Sequence, residues 1–309
     1  MEIPLCLPNP AQVPRRSPFR YPGGKTAFAP LFREWLLAQE PENRRLLVEP
    51  FAGGGSVGLE ALLTGAAREL FLVEVDPEVA LVWEVLVGGG AEDLAEAVLR
   101  LPVTHEAVEN LLRSSPQDPI EGALRTLVRN RVARGGLLAP GSGRMRLGEA
   151  RRGLLSRWYP RTLAERIRAI GREAHRIAFL RGDGLAVLEA MRQERGISYF
   201  VDPPYTATPR SPGHRLYAHA ELDHARLFAL VAELRGPFLM THEESPPVRG
   251  WAEAWGFQVR PLLTFTAHGR EGKELLLGRE LGPLGKREPP CAGYDCPGGK
   301  NGGQARLPL

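Results

Sequence analysis

The sequence predicts an α/β protein with an open, mainly parallel sheet. Short apolar segments alternate with helical patterns along most of the 309-residue chain, and a glycine-rich segment follows the first predicted strand. The composition, 43% hydrophobic and 25% charged, suits a globular protein with a large core. Ligands bind at the carboxyl ends of the strands in such sheets, so candidate site residues are expected there.

Apolar periodicity places the individual elements. The predicted strands cover 46–48, 70–75, 177–180, 197–201 and 238–241, and a final pair lies near 257–265 and 273–277. Helices are predicted from Ser56 to about Thr64, through Val79 to Leu86, and over 221–234, where apolar residues recur every three or four positions.

Composition divides the chain into five parts. The proline-punctuated N-terminus, 1–14, and the Gly- and Pro-rich tail, 282–309, are expected to be flexible. The main domain is predicted to comprise 15–120 and 177–281, separated by an inserted, mainly helical subdomain over 121–176.

The chain is expected to be cytoplasmic and to have no membrane partner. It has no run of the roughly 18 uncharged apolar residues that span a membrane, and no apolar signal-peptide core at its start. Three cysteines, Cys6, Cys291 and Cys296, are too few and too peripheral for a disulfide framework. The tail pair has no second ligand pair for zinc, so no metal site is expected.

Charge is distributed unevenly along the chain. From Arg125 to Arg181 there are fifteen arginines and no lysine against three glutamates, a sum of +12, although the whole chain carries only +4. An acidic body with one strongly basic segment predicts a face that binds a polyanion. A solvated arginine-rich helix is the alternative, because Arg161 to Arg176 also has helical spacing.

The glycine-rich segment predicts a cofactor site. Glu49–Gly58 follows the first strand and opens a helix, where glycines let the backbone approach a ligand. Glu74 ends the second strand, about twenty residues further on, where a carboxylate can accept hydrogen bonds from ribose hydroxyls. The glycines are contiguous and no phosphate-binding lysine follows, which favours an adenosine cofactor without pyrophosphate. A tight structural turn is the alternative.

The segment Asp202-Pro203-Pro204-Tyr205 follows the strand at 197–201 and predicts a site for an aromatic amine. The two prolines lack N–H donors, so carbonyl oxygens and the Asp202 carboxylate are left to accept hydrogen bonds from a substrate donor. Two such acceptors draw an aryl amino group towards a tetrahedral nitrogen that can attack, and Tyr205 offers a face for stacking. A proline-rich turn with a buried tyrosine is the alternative.

Three segments in this order resemble the Dam-like (D12 type, alpha class) DNA adenine-N6 methyltransferases: Phe19–Lys25, Glu49–Ser56 and Asp202–Tyr205. The resemblance implies a Rossmann-like, S-adenosylmethionine-dependent methyltransferase sheet with an inserted, mainly helical target-recognition subdomain. It implies that Asp202, Pro203 and Tyr205 act on a flipped adenine. It further implies cofactor binding by Tyr21, Lys25, Phe51, Gly53, Gly55, Glu74, Asp183 and Asp202.

For Asp183 and His242, two positions that match the family, a purely structural role is an alternative to a role in the site. Asp183 resembles the family's acidic residue that contacts the cofactor's adenine edge, but it is also placed to cap the following helix. Thr241-His242-Glu243 falls where the family has a polar-His-acidic sequence, and His242 is equally compatible with a structural role.

The resemblance places target recognition between the second and third segments. We expect DNA contacts from Arg20, Arg131, Arg134, Arg144, Arg146, Arg151 and Arg152, most of them to phosphates and a few to guanine edges. The family's Phe-Asn-Val-Pro-like stretch is replaced by Ala139–Arg146, so its GATC target is not carried over.

These features together predict a monomeric, site-specific DNA methyltransferase. It would transfer a methyl group from S-adenosylmethionine to adenine N6 in duplex DNA by base flipping. A restriction endonuclease is a functional partner that the family allows. The alternatives are methylation of RNA adenine or DNA cytosine N4, and a catalytically silent DNA-binding relative.

Overall fold

One sheet organises the residues that the computed structural model describes, which are 4–9, 12–20, 25–133, 136, 138, 156–205, 222–265 and 271–284. Its eight strands in this part of the chain are β1 (Leu5–Cys6), β2 (Leu46–Glu49), β3 (Glu69–Glu74), β4 (Ile177–Arg181), β5 (Ile197–Val201), β6 (Phe238–Glu243), β7 (Gln258–Phe265) and β8 (Glu271–Gly278). The spatial order is β1-β7-β8-β6-β5-β2-β3-β4.

The strand order confirms the predicted α/β class. Counted from β2, strands β4-β3-β2-β5-β6 follow the order 3-2-1-4-5 of a Rossmann sheet, and all of their pairings are parallel. β8 runs antiparallel to both β6 and β7. Because β8 runs opposite to β6, the first residues of β8 lie beside the last residues of β6, at the carboxyl edge of the parallel strands.

Ten α-helices occur in the described residues. They are α1 (Ala29–Leu37), α2 (Ser56–Leu63), α3 (Pro77–Val87), α4 (Ala91–Arg100), α5 (His105–Arg113), α6 (Pro119–Val132), α7 (Pro160–Arg172), α8 (Gly184–Met191), α9 (His224–Glu233) and α10 (Pro246–Ala254). None of these helices is long and apolar enough to span a bilayer.

The helices cover both faces of the sheet. Successive strand residues point to opposite faces, so Leu47 and Phe200 join one apolar cluster while Val48 and Val201 join the other. The first cluster contains the apolar faces of α1 to α7 and the second those of α8 to α10. Because both faces of the central strands are buried, their sequences are continuously apolar and do not alternate between apolar and polar residues.

The described helices of the basic segment, α6 and α7, do not have a core of their own. Leu127 of α6 and Ile167 of α7 belong to the same apolar cluster as Trp83 of α3 and Leu94 of α4. The predicted boundary at residues 120 and 121 falls inside α6. The rest of the expected subdomain between 134 and 155, except residues 136 and 138, lies outside the described residues.

Several arginines of this segment are paired with acids from neighbouring helices. Arg168 on α7 contacts the carboxylates of Glu92 and Glu96 on α4 at 2.6 and 2.7 Å, and Arg129 on α6 pairs with Glu78 on α3. Part of the +12 found along the sequence is therefore neutralised in space.

The N-terminus differs from expectation. Within 1–14, which we predicted to be flexible, Leu5 and Cys6 pair with Leu262 and Leu263 as an edge strand. Leu5 is buried against the sheet, and burial of this side chain stabilises the pairing. In the predicted tail, Gly282–Leu284 forms a 3-10 turn with Leu284 buried, and residues 285–309 lie outside the described part.

If α6 shares the main core, Leu127→Ala should destabilise the whole domain in a single unfolding transition. Leu127 is 0% exposed, and removing its side chain should cost about 2–5 kcal/mol. Leu99→Ala, at a position 37% exposed on α4, is the matched control and should cost less than about 1 kcal/mol. Urea unfolding followed by circular dichroism checks this, and a separate transition for the inserted helices would contradict it.

Candidate functional site

The strand order reverses at β2, and the loops after β2 and β5 leave the sheet there side by side. From β2 the chain adds β3 and β4 on one side, then returns to add β5 on the other. In the parallel register Val48 of β2 pairs with Tyr199 of β5. Three residues further along both chains, Phe51 and Asp202 therefore lie at the same level of the sheet edge. Such a reversal opens a crevice at the carboxyl edge of the sheet, where α/β proteins bind ligands.

The glycine-rich loop after β2 has a backbone that requires glycine. Gly53 and Gly55 have φ values of 48° and 59°, in the left-handed region. A Cβ on Gly55 would lie 2.9 Å from the ring of Trp83, whose indole N–H donates to the Gly53 carbonyl at 2.8 Å. The loop is thus held tightly against α3 while the backbone of residues 53 and 54 remains partly exposed.

Glu74, at the end of β3, fixes the position of this loop. Its carboxylate accepts the backbone N–H of Gly53 and that of Asp76, both at 2.8 Å. Burial raises the pKa of Glu74, and these hydrogen bonds counteract the shift. A partly buried carboxylate beside a left-handed glycine turn is a suitable partner for ribose hydroxyls, and it retains lone pairs for them.

Glu49, the last residue of β2, lies behind the same loop and caps α2. Its Oε1 accepts the backbone N–H of Gly58 in the first turn of the helix, whose N-cap, Gly55, has no side chain to do so. Burial is the main cause that raises the pKa of Glu49 to about 8, and the charge of Asp202 adds to the shift. The carboxyl is therefore largely neutral at pH 7.

The loop after β4 closes one side of the crevice. A Cβ on Gly184 would lie 2.1 Å from the Pro50 carbonyl and 3.0 Å from the Phe51 ring, so the two loops touch. Asp183 caps α8 by accepting the N–H of Leu185 at 2.9 Å, which is the structural alternative considered above. Its side chain is exposed, and its contact with a cofactor stays a prediction.

Asp202, directly after β5, is held by two donors. Its Oδ1 accepts the Thr241 hydroxyl at 2.6 Å and lies 2.9 Å from Lys25 Nζ. The side chain of Asp202 is 25% exposed, whereas that of Lys25 is only 8% exposed. Lys25 is therefore a buried counter-ion of Asp202, and its expected contact with the cofactor stays a prediction.

A residue that sequence reasoning missed completes the cluster. Glu274 of β8 accepts the Tyr205 hydroxyl at 2.7 Å and lies 3.4 Å from Lys25 Nζ. In the sequence Glu274 is one acidic residue in the run Lys273–Leu277, and no local signal marks it. It reaches the site only because β8 is antiparallel and starts at this edge of the sheet.

The electrostatics of the cluster follow from burial and proximity. Burial lowers the pKa of Lys25, but Asp202 and Glu274 more than offset this and hold the pKa well above its usual value. Burial also raises the pKa of Tyr205, and the nearby Lys25 ammonium opposes that shift. Lys25 therefore stays charged and the Tyr205 phenol neutral through the physiological range.

His242 has a structural environment. It is fully buried and its Nε2 lies 3.1 Å from Nδ1 of His224, which stacks on Trp251. Burial, followed by the charge of His242, lowers the pKa of His224 to about 4. Because neighbouring strand residues alternate in direction, Thr241 contacts Asp202 while His242 points to the other face.

Two expected DNA contacts, Arg20 and Arg131, lie at the junction of the N-terminal segment with α6. The buried side chain of Asn130 accepts the N–H of Arg20 at 2.8 Å and donates to its carbonyl at 2.9 Å. Arg131 is 4% exposed and donates to Pro18 O at 2.7 Å and to Asn130 Oδ1 at 2.6 Å. The guanidinium of Arg131 is thus buried in anchoring this segment, and its expected contact with DNA stays a prediction.

The remaining predicted site residues lie outside the described part of the chain. They are Tyr21, Arg134, Arg144, Arg146, Arg151 and Arg152. Their cofactor and DNA contacts stay predictions.

A sequence model of the D12 class N6 adenine-specific DNA methyltransferases matches residues 21–261, more than half of the chain. The chain belongs to this family. This D12 methyltransferase is an S-adenosylmethionine-dependent enzyme with a Rossmann-like sheet, as the sequence predicted.

Solved structures of several methyltransferases are similar to this chain at low sequence identity. The candidate RNA methyltransferase PH1948 from Pyrococcus horikoshii is 14% identical, with 84% of each chain covered and a TM-score of 0.39. The rRNA methyltransferase aviRa from Streptomyces viridochromogenes is also 14% identical, covering 84% of this chain and 87% of its own, with a TM-score of 0.38. No curated protein matches this chain in sequence.

The raised pKa of Glu49 predicts a pH-dependent stability. A carboxyl whose pKa is higher in the folded than in the unfolded state loses stabilisation as pH rises from about 4.5 to about 8. Glu49→Gln keeps an acceptor for Gly58 and cannot ionise, so its free energy of unfolding should fall less over this range. Urea unfolding between pH 5 and 8.5 checks this, with the exposed Glu69→Gln as control. Equal slopes in wild type and Glu49→Gln would contradict it.

Proposed function

We propose that this protein methylates adenine N6 in duplex DNA, acting on a base flipped out of the helix. The observation that carries the proposal is the position of Asp202. It follows β5 at the strand-order reversal, beside the glycine-rich loop, and its Oδ1 is already engaged by Thr241 and Lys25. A substrate amino group and a cofactor can thus meet in one crevice.

The Asp-Pro-Pro-Tyr segment supplies acceptors and a stacking face. With Oδ1 engaged, Oδ2 of Asp202 and the carbonyl of Pro203 are available for the two N–H groups of an exocyclic amine. Hydrogen bonds to these acceptors localise the nitrogen lone pair, and a charged acceptor strengthens them. Tyr205 offers a ring for the extruded base.

The cofactor supplies a methyl group that a sulfonium has already activated, so the residues contribute mainly placement and acceptors. We assign the ribose hydroxyls to Glu74 and the close approach of the cofactor to Gly53 and Gly55. Phe51, Asp183 and Asp202 line the same crevice, and Tyr21 and Lys25 are the further cofactor contacts that the resemblance implies. No covalent link between the enzyme and the base is required.

The family description, which specifies DNA and adenine N6, supports DNA adenine as the substrate. The arginine-rich segment also supports it, with Arg134, Arg144, Arg146, Arg151 and Arg152 as proposed DNA contacts. Arg20, from the N-terminal part of the chain, is a further proposed contact.

The test of this function is expression in a methylation-free host, followed by sequencing of methylated plasmid and mass spectrometry of DNA and RNA nucleosides. N6-methyladenine in plasmid DNA, at one recurring sequence, is the expected product. N4-methylcytosine in DNA or N6-methyladenine confined to RNA would replace the proposal with one of its alternatives. A protein that binds DNA but not S-adenosylmethionine would instead be a catalytically inactive DNA-binding member of the family, and the proposal would be refuted.

Asp202→Asn should lower kcat by at least about a hundredfold and leave the dissociation constant of S-adenosylmethionine within about threefold. The amide keeps an acceptor but loses the charge that strengthens the hydrogen bond to the base. Methyl transfer from radiolabelled cofactor and calorimetry measure the two quantities. Asp93→Asn, an exposed substitution on α4, is the control, and near-normal turnover of Asp202→Asn would refute the role.

Glu74→Ala should raise the dissociation constant of S-adenosylmethionine at least about tenfold without changing the methylated base. Hydrogen bonds to a carboxylate are worth roughly 1.5–3 kcal/mol each, and the variant also releases the N–H of Gly53. Calorimetry measures the constant, with the exposed Glu84→Ala on α3 as control. An unchanged constant in a folded Glu74→Ala protein would remove Glu74 from the cofactor site.

A further inference from the structure

Glu274 is a buried carboxylate to which the proposed methyl transfer assigns no role. It is 7% exposed, and its Oε1 accepts the Tyr205 hydroxyl at 2.7 Å. Its Oε2 lies 3.4 Å from Lys25 Nζ and has no hydrogen-bond partner among the described residues. A buried carboxylate is costly unless it is paired, so these two contacts are what stabilise it.

We propose that Glu274 is a positioning residue for methyl transfer, which orients the Tyr205 ring and shares the charge of Lys25 with Asp202. The inference rests on the proposed function, in which Tyr205 stacks on the base and Asp202 accepts from the amino group. Glu274 reaches the substrate through these two residues and does not itself touch it.

The first part of this role is mechanical. Pro203 and Pro204 fix the backbone that leads to Tyr205, but they do not fix the direction of its side chain. The hydroxyl bond to Glu274 anchors the far end of the ring to β8. A ring held at both ends presents one face to the crevice, which reduces the entropy lost when a base stacks on it.

The second part is electrostatic. If Lys25 had Asp202 as its sole charged partner, the ammonium would neutralise the acceptor that the amine needs. With Glu274 on its other side, the three groups carry one positive and two negative charges. The remaining negative charge strengthens Asp202 as an acceptor and complements a positively charged methyl donor.

Four variants separate the two parts: Glu274→Gln, Tyr205→Phe, Glu274→Ala, and the double variant of the last two. Glu274→Gln keeps an acceptor for Tyr205 but removes the charge, and should lower kcat at least about tenfold with the KM for S-adenosylmethionine within about threefold. Its kcat–pH profile should lose activity at a lower alkaline pH, because Glu274 helps Asp202 to keep Lys25 protonated. Tyr205→Phe removes the hydroxyl donor alone. The double variant Tyr205→Phe, Glu274→Ala should be no slower than Glu274→Ala, since both changes remove the same bond.

Controls decide between positioning and folding. Glu280→Gln, an exposed substitution just beyond β8, should retain wild-type kcat and pH profile. Urea unfolding of each variant shows whether the fold is kept. An unchanged kcat and alkaline limit in Glu274→Gln, or independent losses in the double variant, would overturn the role of Glu274. If Glu274→Gln does not fold, a folded Tyr205→Phe with wild-type kcat overturns it instead.

The outcome for the wild type distinguishes the two proposals. A wild-type chain that methylates no nucleic acid overturns the proposed function and this role with it. An active wild type with unaffected Glu274 variants overturns this role alone.

Discussion

The parallel pairing of β2 with β5 is the constraint on which the site depends. The sheet must reverse its strand order there, because β3 and β4 already occupy the other side of β2. The reversal lets two loops that are 151 residues apart in sequence leave the sheet together, one carrying Phe51 and the other Asp202. Without it the glycine-rich loop and the Asp-Pro-Pro-Tyr segment would have no common crevice.

Buried charge is the second determinant of the site. Lys25 connects the N-terminal segment to the loop after β5 and to β8 through Asp202 and Glu274. A buried ion pair adds little net stability compared with apolar packing, but loss of one partner leaves an uncompensated charge. The cluster is therefore better understood as fixing the relative positions of three chain segments than as a source of stability. Thr241 and Tyr205 complete it with hydrogen bonds.

The arginine-rich segment has a mixed role. Arg168 and Arg129 bind acids on α4 and α3, and Arg131 anchors Pro18, so these three attach the segment to the main core. The net charge of +12 summed along the sequence includes these paired arginines as well as any exposed ones, so it overstates the positive charge on the exposed face. The inserted helices are thus as much a layer of the main domain as a platform for recognition, and their apolar faces join its core.

The sequence by itself determined the fold class and the positions of β2 to β8 to within a few residues, because apolar periodicity is a local property. It also marked the motif residues Glu74, Gly53, Gly55 and Asp202, because glycine-rich and Asp-Pro-Pro-Tyr segments are local signals. It missed β1, whose two residues are too few to show a period. The tertiary structure decided which residues surround Asp202. Thr241 and Glu274 belong to other strands, and their neighbours in sequence give no signal of the contact. The tertiary structure likewise decided that Arg131 is buried. From sequence alone an arginine is expected at the surface, and its burial follows only from the packing of the segment around Pro18 against it. Contacts between distant strands depend on sheet order and direction, and neither is encoded in any short stretch of chain.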